Sequence, residues 1–150
     1  MKDKQDNGPY NIFTETEKTI EFYECDPMGV VWNGNYLNLF EIGRRELLEK
    51  IGYNYDDMKN SGYAFPVVEI SVKYIGFLKY RDRAIVKAVL MEYENRLRIK
   101  IEIRNAQTAL VTTKGLSTQM AFDITKYESC FYCPQILIDK VETLIKETSK

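Results

Sequence analysis

The sequence predicts an α+β domain in which an antiparallel β-sheet wraps one long α-helix. Three observations carry that reading. Residues 35–51 repeat apolar side chains at helical spacing; from residue 67 onward the period changes to two and holds through four segments; and a glycine-bearing turn joins the opening strand to the helix. At 150 residues the chain has the length of one domain, long enough to bury a core without disulfide or metal, and no repeat or linker divides it.

The elements follow in order. Residues 1–9 are polar and are expected to fray, with no apolar run of the kind a signal peptide needs. A strand is expected over 11–24, where Thr19, Glu21 and Tyr23 alternate with Ile20 and Phe22. After the Asp26 turn, Tyr36, Leu39, Phe40, Gly43, Leu47 and Ile51 form the apolar stripe of the long helix, while Glu41, Arg44, Arg45, Glu49 and Lys50 largely take its other faces. Asn33 or Asn35 is expected to cap that helix and Gly52 to end it. A short helix is expected over 55–60, broken by Ser61-Gly62. Strands are expected over 67–74, 84–93, 96–104 and 110–122, and their succession predicts an antiparallel meander. In the third of these, Leu97, Ile99, Ile101 and Ile103 alternate with Arg98, Lys100, Glu102 and Arg104, so one face is buried and needs the long helix as cover. A last helix is expected over 134–146, with Ile138, Val141, Leu144 and Ile145 inward.

Composition excludes several functions. The 21 Lys and Arg nearly cancel the 22 Asp and Glu, so no overall field points to nucleic acid or to an anionic membrane as a partner. Apolar stretches are broken too soon to cross a bilayer, and a cytoplasmic location is expected. Histidine is absent, which removes Ser-His-Asp and Cys-His nucleophile activation and His-ligated zinc. Acid and base work falls to carboxylates, Tyr, Lys or a water that they hold. Cys25, Cys130 and Cys133 are an odd number and are expected to be reduced. Cys130-Phe131-Tyr132-Cys133 has CxxC spacing but no second ligand pair, so it reads as packed thiols and no metal site is expected.

Chemistry is concentrated in Asp26-Pro27-Met28-Gly29-Val30-Val31-Trp32-Asn33-Gly34-Asn35-Tyr36. A helix start offers unpaired N–H groups and a positive dipole end, so a polarised carbonyl can sit there, with Asp26 just upstream as base or nucleophile. An aspartate is ionised at neutral pH and can attack without an activating base. Taken alone, Asp26 reads more readily as a turn or cap residue than as a catalytic group; the full eleven-residue stretch reverses that and favours chemistry.

The segment from Phe22 to Tyr36, continuing into Phe40-Glu41 and Arg44, resembles the signature of hot-dog fold acyl-CoA thioesterases of the 4-hydroxybenzoyl-CoA thioesterase type. The resemblance implies that Asp26 is the catalytic carboxylate and that the helix start at Asn33 and Gly34 polarises the thioester carbonyl. Many relatives carry His where Asn33 stands. A backbone donor is indifferent to that side chain, and Trp32 with Cys25-Asp26-Pro27 is similar to the His-free branch. It further implies substrate contacts from Trp32, Tyr36 and Glu41, and cations for the CoA phosphates at Lys79 and Arg96, although the Pro-Ala pair that relatives often have near Phe77-Leu78 is missing. By their types alone, Lys79 and Arg96 read as solvated strand-end charges, Glu41 as an i,i+3 partner of Arg44, and Tyr36 as core or acyl-pocket wall. The resemblance implies a pocket shared between subunits, hence a homo-oligomer, at least a dimer and typically a homotetramer. Coenzyme A is part of the substrate, and no separate cofactor is implied. Two other readings stand beside hydrolysis of acyl-CoA: a non-catalytic acyl-binding module, and a thioesterase acting on acyl-carrier protein. A hydratase usually needs a His-containing pair and is disfavoured.

Overall fold

The computed structural model describes residues 6–148. Alternation places β1 at Phe13–Thr19, shorter than expected. It ends where the Ile20 N–H turns to the Asp82 carbonyl (2.8 Å) and Glu21 and Glu24 cap each other across a 3₁₀ turn, Phe22–Glu24. The helix α1 runs Asn35–Ile51 and closes at Gly52 in the left-handed region (φ +86°). A short α2, Tyr55–Asn60, starts on an Asn54–Asp57 capping box. Then come β2 (Tyr63–Ala64), β3 (Val67–Tyr74), β4 (Arg83–Glu92), β5 (Leu97–Asn105), β6 (Val111–Gln119), β7 (Phe122–Asp123), β8 (Glu128–Ser129) and α3 (Gln135–Thr148).

The main sheet is antiparallel with order β1-β4-β5-β6-β3. This corrects the expected four-stranded meander, because only β4, β5 and β6 are joined in sequence. The eight-residue connection 75–82 carries the chain past the start of α1, where the Leu78 N–H donates to Tyr36 Oη (3.2 Å) and the Val31 N–H to the Leu78 carbonyl (2.8 Å). β3 therefore lies at one edge, paired with β6, and β1 at the other. The single expected strand over 110–122 is also divided: the Met120 N–H donates to Pro66, and Phe122–Asp123 joins a separate small sheet of order β2-β7-β8.

Period-two burial holds as expected. Leu97, Ile99, Ile101 and Ile103 are fully buried under α1, with Val86, Ala88 and Leu90 of β4 beside them. Helix and sheet approach closely because glycine stands at facing positions. A Cβ at Gly43 would lie 2.9 Å from Val86 Cγ1, and one at Gly115 would lie 2.3 Å from the Phe40 ring. The helix start shares one end of the sheet with Thr19 and Tyr74, and its last turn reaches the other, where Lys50 Nζ donates to the Phe13 carbonyl (2.7 Å). Residues 1–5 of the expected frayed segment lie outside the described residues. Residues 6–9 depart from that expectation, with Asp6 paired to Lys100 (3.1 Å) and Asn7 accepting from Lys87 (2.8 Å).

Candidate active site

Asp26-Pro27-Met28-Gly29 makes the hairpin that presents the carboxylate. Pro suits the second position of a type I turn, and Gly29 takes the φ of +80° that the following bulge requires. The Gly29 N–H donates to the Asp26 carbonyl and the Asp26 N–H to Val30, both at 2.9 Å. The side chain is tied to the same loop: Oδ1 accepts from the N–H of Met28 (2.8 Å) and, at 3.5 Å, of Val30, whereas Oδ2 has no hydrogen bond among the described residues. The Cys25↔Val31 bridge closes the hairpin, and the Val30↔Lys79 bridge docks it on the 75–82 connection.

The helix start is uncapped. Its N-cap is Gly34, with no side-chain hydrogen bond, which corrects the expectation that Asn33 or Asn35 would cap it. Asn35 is engaged elsewhere: its amide donates to Glu24 Oε2 (2.8 Å) and its oxygen accepts from Asn38 (2.9 Å), because buried Glu24 demands a donor. The N–H groups of Asn35, Tyr36 and Leu37 bond the carbonyls of Trp32, Asn33 and Gly34. Those of Asn33 and Gly34 have no acceptor among the described residues, so two donors at the positive end of the dipole remain open to a ligand oxygen. Trp32, 48% exposed, lies over Gly34, where a Cβ would come 1.8 Å from the ring.

Three residues organise this end: Glu24 and Tyr74, which sequence reading passed over, and Asn35, which it read only as a helix cap. Glu24 is only 3% exposed and holds Lys18 (3.1 Å), the Glu21 N–H (2.9 Å) and Asn35. Burial pushes its carboxyl up, but those three donors outweigh burial and keep its pKa below the ordinary value. Asn35 ties that carboxylate to the first turn of α1. Tyr74, at the end of β3, donates from Oη to the Asn33 carbonyl (3.0 Å) and packs edge-on to Tyr36 (5.5 Å). Glu24 and Asn35 lie inside the motif, and the polar residues there were the available signal. Nothing in the alternation of β3 marked Tyr74.

The other expected site residues divide. Tyr36 is fully buried, its phenol pushed up by burial, and it supports the 75–82 connection instead of opening to solvent. Lys79 is exposed beside the hairpin and borders a cavity of about 650 Å³ between the 75–82 connection and the β5–β6 turn, with Phe77, Asn105 and Gln107. Glu41 sits farther along α1, accepting from Tyr55 Oη (2.9 Å) and paired with Arg44, which also donates to Ser117 (3.1 Å). That pair is half-sunk: Arg44 is buried, with no partner for its Nε among the described residues, while Glu41 is partly exposed. Arg96 is not brought to the helix start. It lies in the β4–β5 turn at the opposite end of the sheet, paired with Glu92 (3.2 Å), a nine-residue strand or about 30 Å away. Cys133 is buried and Cys130 half-buried, both as free thiols. Among the described residues no His, Cys, Asp and Glu cluster could hold a metal, and no helix is long and apolar enough to cross a membrane.

A sheet wrapped on one helix, with a hairpin feeding the open helix start, defines the hot-dog fold. The chain belongs to the thioesterase-like superfamily, whose model matches residues 20–135. It is 35% identical over 80 residues to a candidate acyl-CoA thioesterase of Bacillus subtilis, YneP, covering 53% of this chain and 58% of that protein. It is 41% identical over 76 residues to the acyl-acyl carrier protein thioesterase ATL3 of Arabidopsis thaliana, covering 51% of this chain and 40% of that one. The chain thus spans about half the length of these curated relatives. Among solved structures, a DHNA-CoA thioesterase from Staphylococcus aureus superposes with a TM-score of 0.76 at 28% identity, over 91% of this chain and 95% of that one.

Proposed function

We propose that the chain is a thioester hydrolase that converts an acyl-CoA to the free acid and CoA. The observation that carries this reading is the pairing of an open helix start, with free N–H groups at Asn33 and Gly34, and an aspartate whose Oδ1 is fixed by its own loop while Oδ2 is free. The thioester oxygen binds at the two N–H groups, where one donor is typically worth roughly 3 to 4 kcal/mol to the transition state. Asp26 Oδ2 then acts in one of two ways. As nucleophile it attacks the carbonyl carbon, the C–S bond breaks, CoA leaves as thiolate, and water hydrolyses the resulting anhydride. As base it takes a proton from the water that attacks. Glu24, Asn35 and Tyr74 hold the two halves of the site in place. CoA enters as part of the substrate, and no further cofactor is invoked.

In this reading Trp32 and Glu41 line the acyl side and Lys79 meets the CoA phosphates. The active form is a homo-oligomer built from dimers joined through β3, an edge strand carrying exposed Val67 and Val68. Antiparallel pairing there sets the end of one sheet that bears Arg96 alongside the end of the other that bears Asp26. The free thiols support a cytoplasmic location. Identity to ATL3 favours one second reading, an acyl-carrier-protein thioester as substrate.

The test is thiol release from short, long and aromatic acyl-CoAs and from an acyl-carrier protein, with wild type beside Asp26→Asn. The asparagine keeps an oxygen for the Met28 N–H, so the hairpin is retained. Turnover is expected to fall about a thousandfold or more. Absence of release from every substrate, with saturable binding of CoA, would replace the enzyme with a binding module. Single turnover in heavy-oxygen water tests the nucleophilic role, since water attacking the Asp26 side of the anhydride leaves the first product unlabelled and places the label in the Asp26 carboxylate.

A further inference from the structure

A second cavity, of about 660 Å³, opens between α2 and the small β2-β7-β8 sheet. It lies against the later part of α1, and its Tyr55 wall is bonded to Glu41, roughly 9 Å along the axis from the helix start. Its wall is apolar: Met58 and Phe65 form the buried floor, with Phe122, Ile124 and the ring of Tyr55 around them. Two polar groups of that wall are already engaged. Tyr55 Oη donates to Glu41 (2.9 Å), and the Phe65 carbonyl accepts from Gln119 Nε2 (2.7 Å). A hydroxyl carried down to the Met58 and Phe65 floor would lose its water hydrogen bonds, because the Tyr55 hydroxyl and the Phe65 carbonyl are taken. A saturated chain loses nothing and buries its surface. The volume exists because Ala64, opposite Phe122 in the β2–β7 pairing, presents only a methyl group on that face.

One cation borders the cavity. Lys59 is exposed at the rim, and its ammonium has no acidic or hydrogen-bonding partner among the described residues. An apolar cavity with a single unpaired positive charge at its mouth complements an amphiphile with an anionic head. We infer that this cavity binds a linear aliphatic carboxylate, the chain against Met58, Phe65 and Phe122 and the carboxylate on Lys59. Such a ligand has the chemistry of a free fatty acid. The inference uses none of the residues at the helix start, but through Tyr55 it adjoins Glu41, which the proposed function places on the acyl side, and it is therefore tested by binding and not by turnover.

Binding is read without turnover, by the fluorescence of cis-parinaric acid on the full chain and its displacement by dodecanoate and by dodecanol. Wild type is expected to bind the probe and to release it more readily to dodecanoate than to the uncharged alcohol. Ala64→Trp fills the cavity and is expected to weaken binding about tenfold or more. Lys59→Glu is expected to erase the preference for dodecanoate. Should Ala64→Trp lose its far-ultraviolet circular dichroism, Ile124→Glu at the exposed rim takes its place with the same expected loss. A wild type that does not bind the probe, folded cavity variants that bind it unchanged, or equal displacement by acid and alcohol would each overturn the assignment. Loss of thioester hydrolysis in Asp26→Asn bears on none of these outcomes.

Discussion

Replacing Glu24 by Gln tests how the helix start is held. The carboxylate accepts from Glu21 N–H, Lys18 and Asn35, and it is almost wholly buried. A glutamine of the same shape keeps one oxygen, enough for Glu21 and Lys18 on the Oε1 side. Its NH₂ then faces the Asn35 amide nitrogen where the carboxylate oxygen stood at 2.8 Å, two donors in contact. Relief requires Asn35 to flip, which turns its nitrogen toward the Asn38 nitrogen now 2.9 Å from its oxygen, so Asn38 must also turn. Charge-assisted bonds worth roughly 1.5 to 3 kcal/mol become ordinary ones worth about 1, and Lys18, one quarter exposed, recovers part of its loss from water. The expected cost is about 1 to 2 kcal/mol, or a fall in Tm of roughly 2 to 8 °C for a domain of this size. The sign with pH follows from the lowered pKa. The folded carboxyl sits below its unfolded value, so its contribution is complete above the unfolded glutamate pKa, near ~4.3, and is lost as pH falls through the folded value. Urea unfolding of both proteins from pH 7 downward measures the gap. It should close in acid. A gap that is absent at pH 7, or that persists unchanged at pH 2, would refute the carboxylate's role.

Two further outcomes follow from burial. Gly115→Val places its Cβ within 2.3 Å of the Phe40 ring and 2.5 Å of the Ser71 carbonyl, neither of which can withdraw, so a loss of about 3 kcal/mol or more is expected in thermal melts. Cys133, its thiol pushed by burial to about 12, should stay silent to a thiol reagent in the folded protein at neutral pH and react only in denaturant.

The limits of α1 and α2 were legible because each signal was local: a 3.6-residue stripe ending at Gly52, and a short helix broken by Ser61-Gly62. Alternation likewise marked β3 to β6. Pairing was not legible, since it depends on where a connection travels. Residues 75–82 are too long for a tight hairpin, and that length was the available warning; their route is set by Leu78 on Tyr36 and Val31, contacts between residues far apart in sequence. The candidate site shows the same division. Asp26, Asn33 and Gly34 sit in one continuous motif and could be named together. Asn35 was read as a cap because asparagine favours that position, but a buried acid eleven residues earlier claims its amide. Arg96 was placed by likeness of sequence position, and strand direction puts it at the far end of the same chain.

The glycines at 43 and 115 also determine where a substrate can lie. On the proposed hydrolase reading, the close contact of Phe40 with Gly115 and of Gly43 with Val86 keeps the acyl group out of that part of the interface and on the outer flank of the helix, past Leu37 and Glu41. Selectivity on such a flank is a property of whatever surface closes over it. Evolution can therefore retune the acyl group by changing that covering surface while the hairpin, the open helix turn and the packed interior stay as they are.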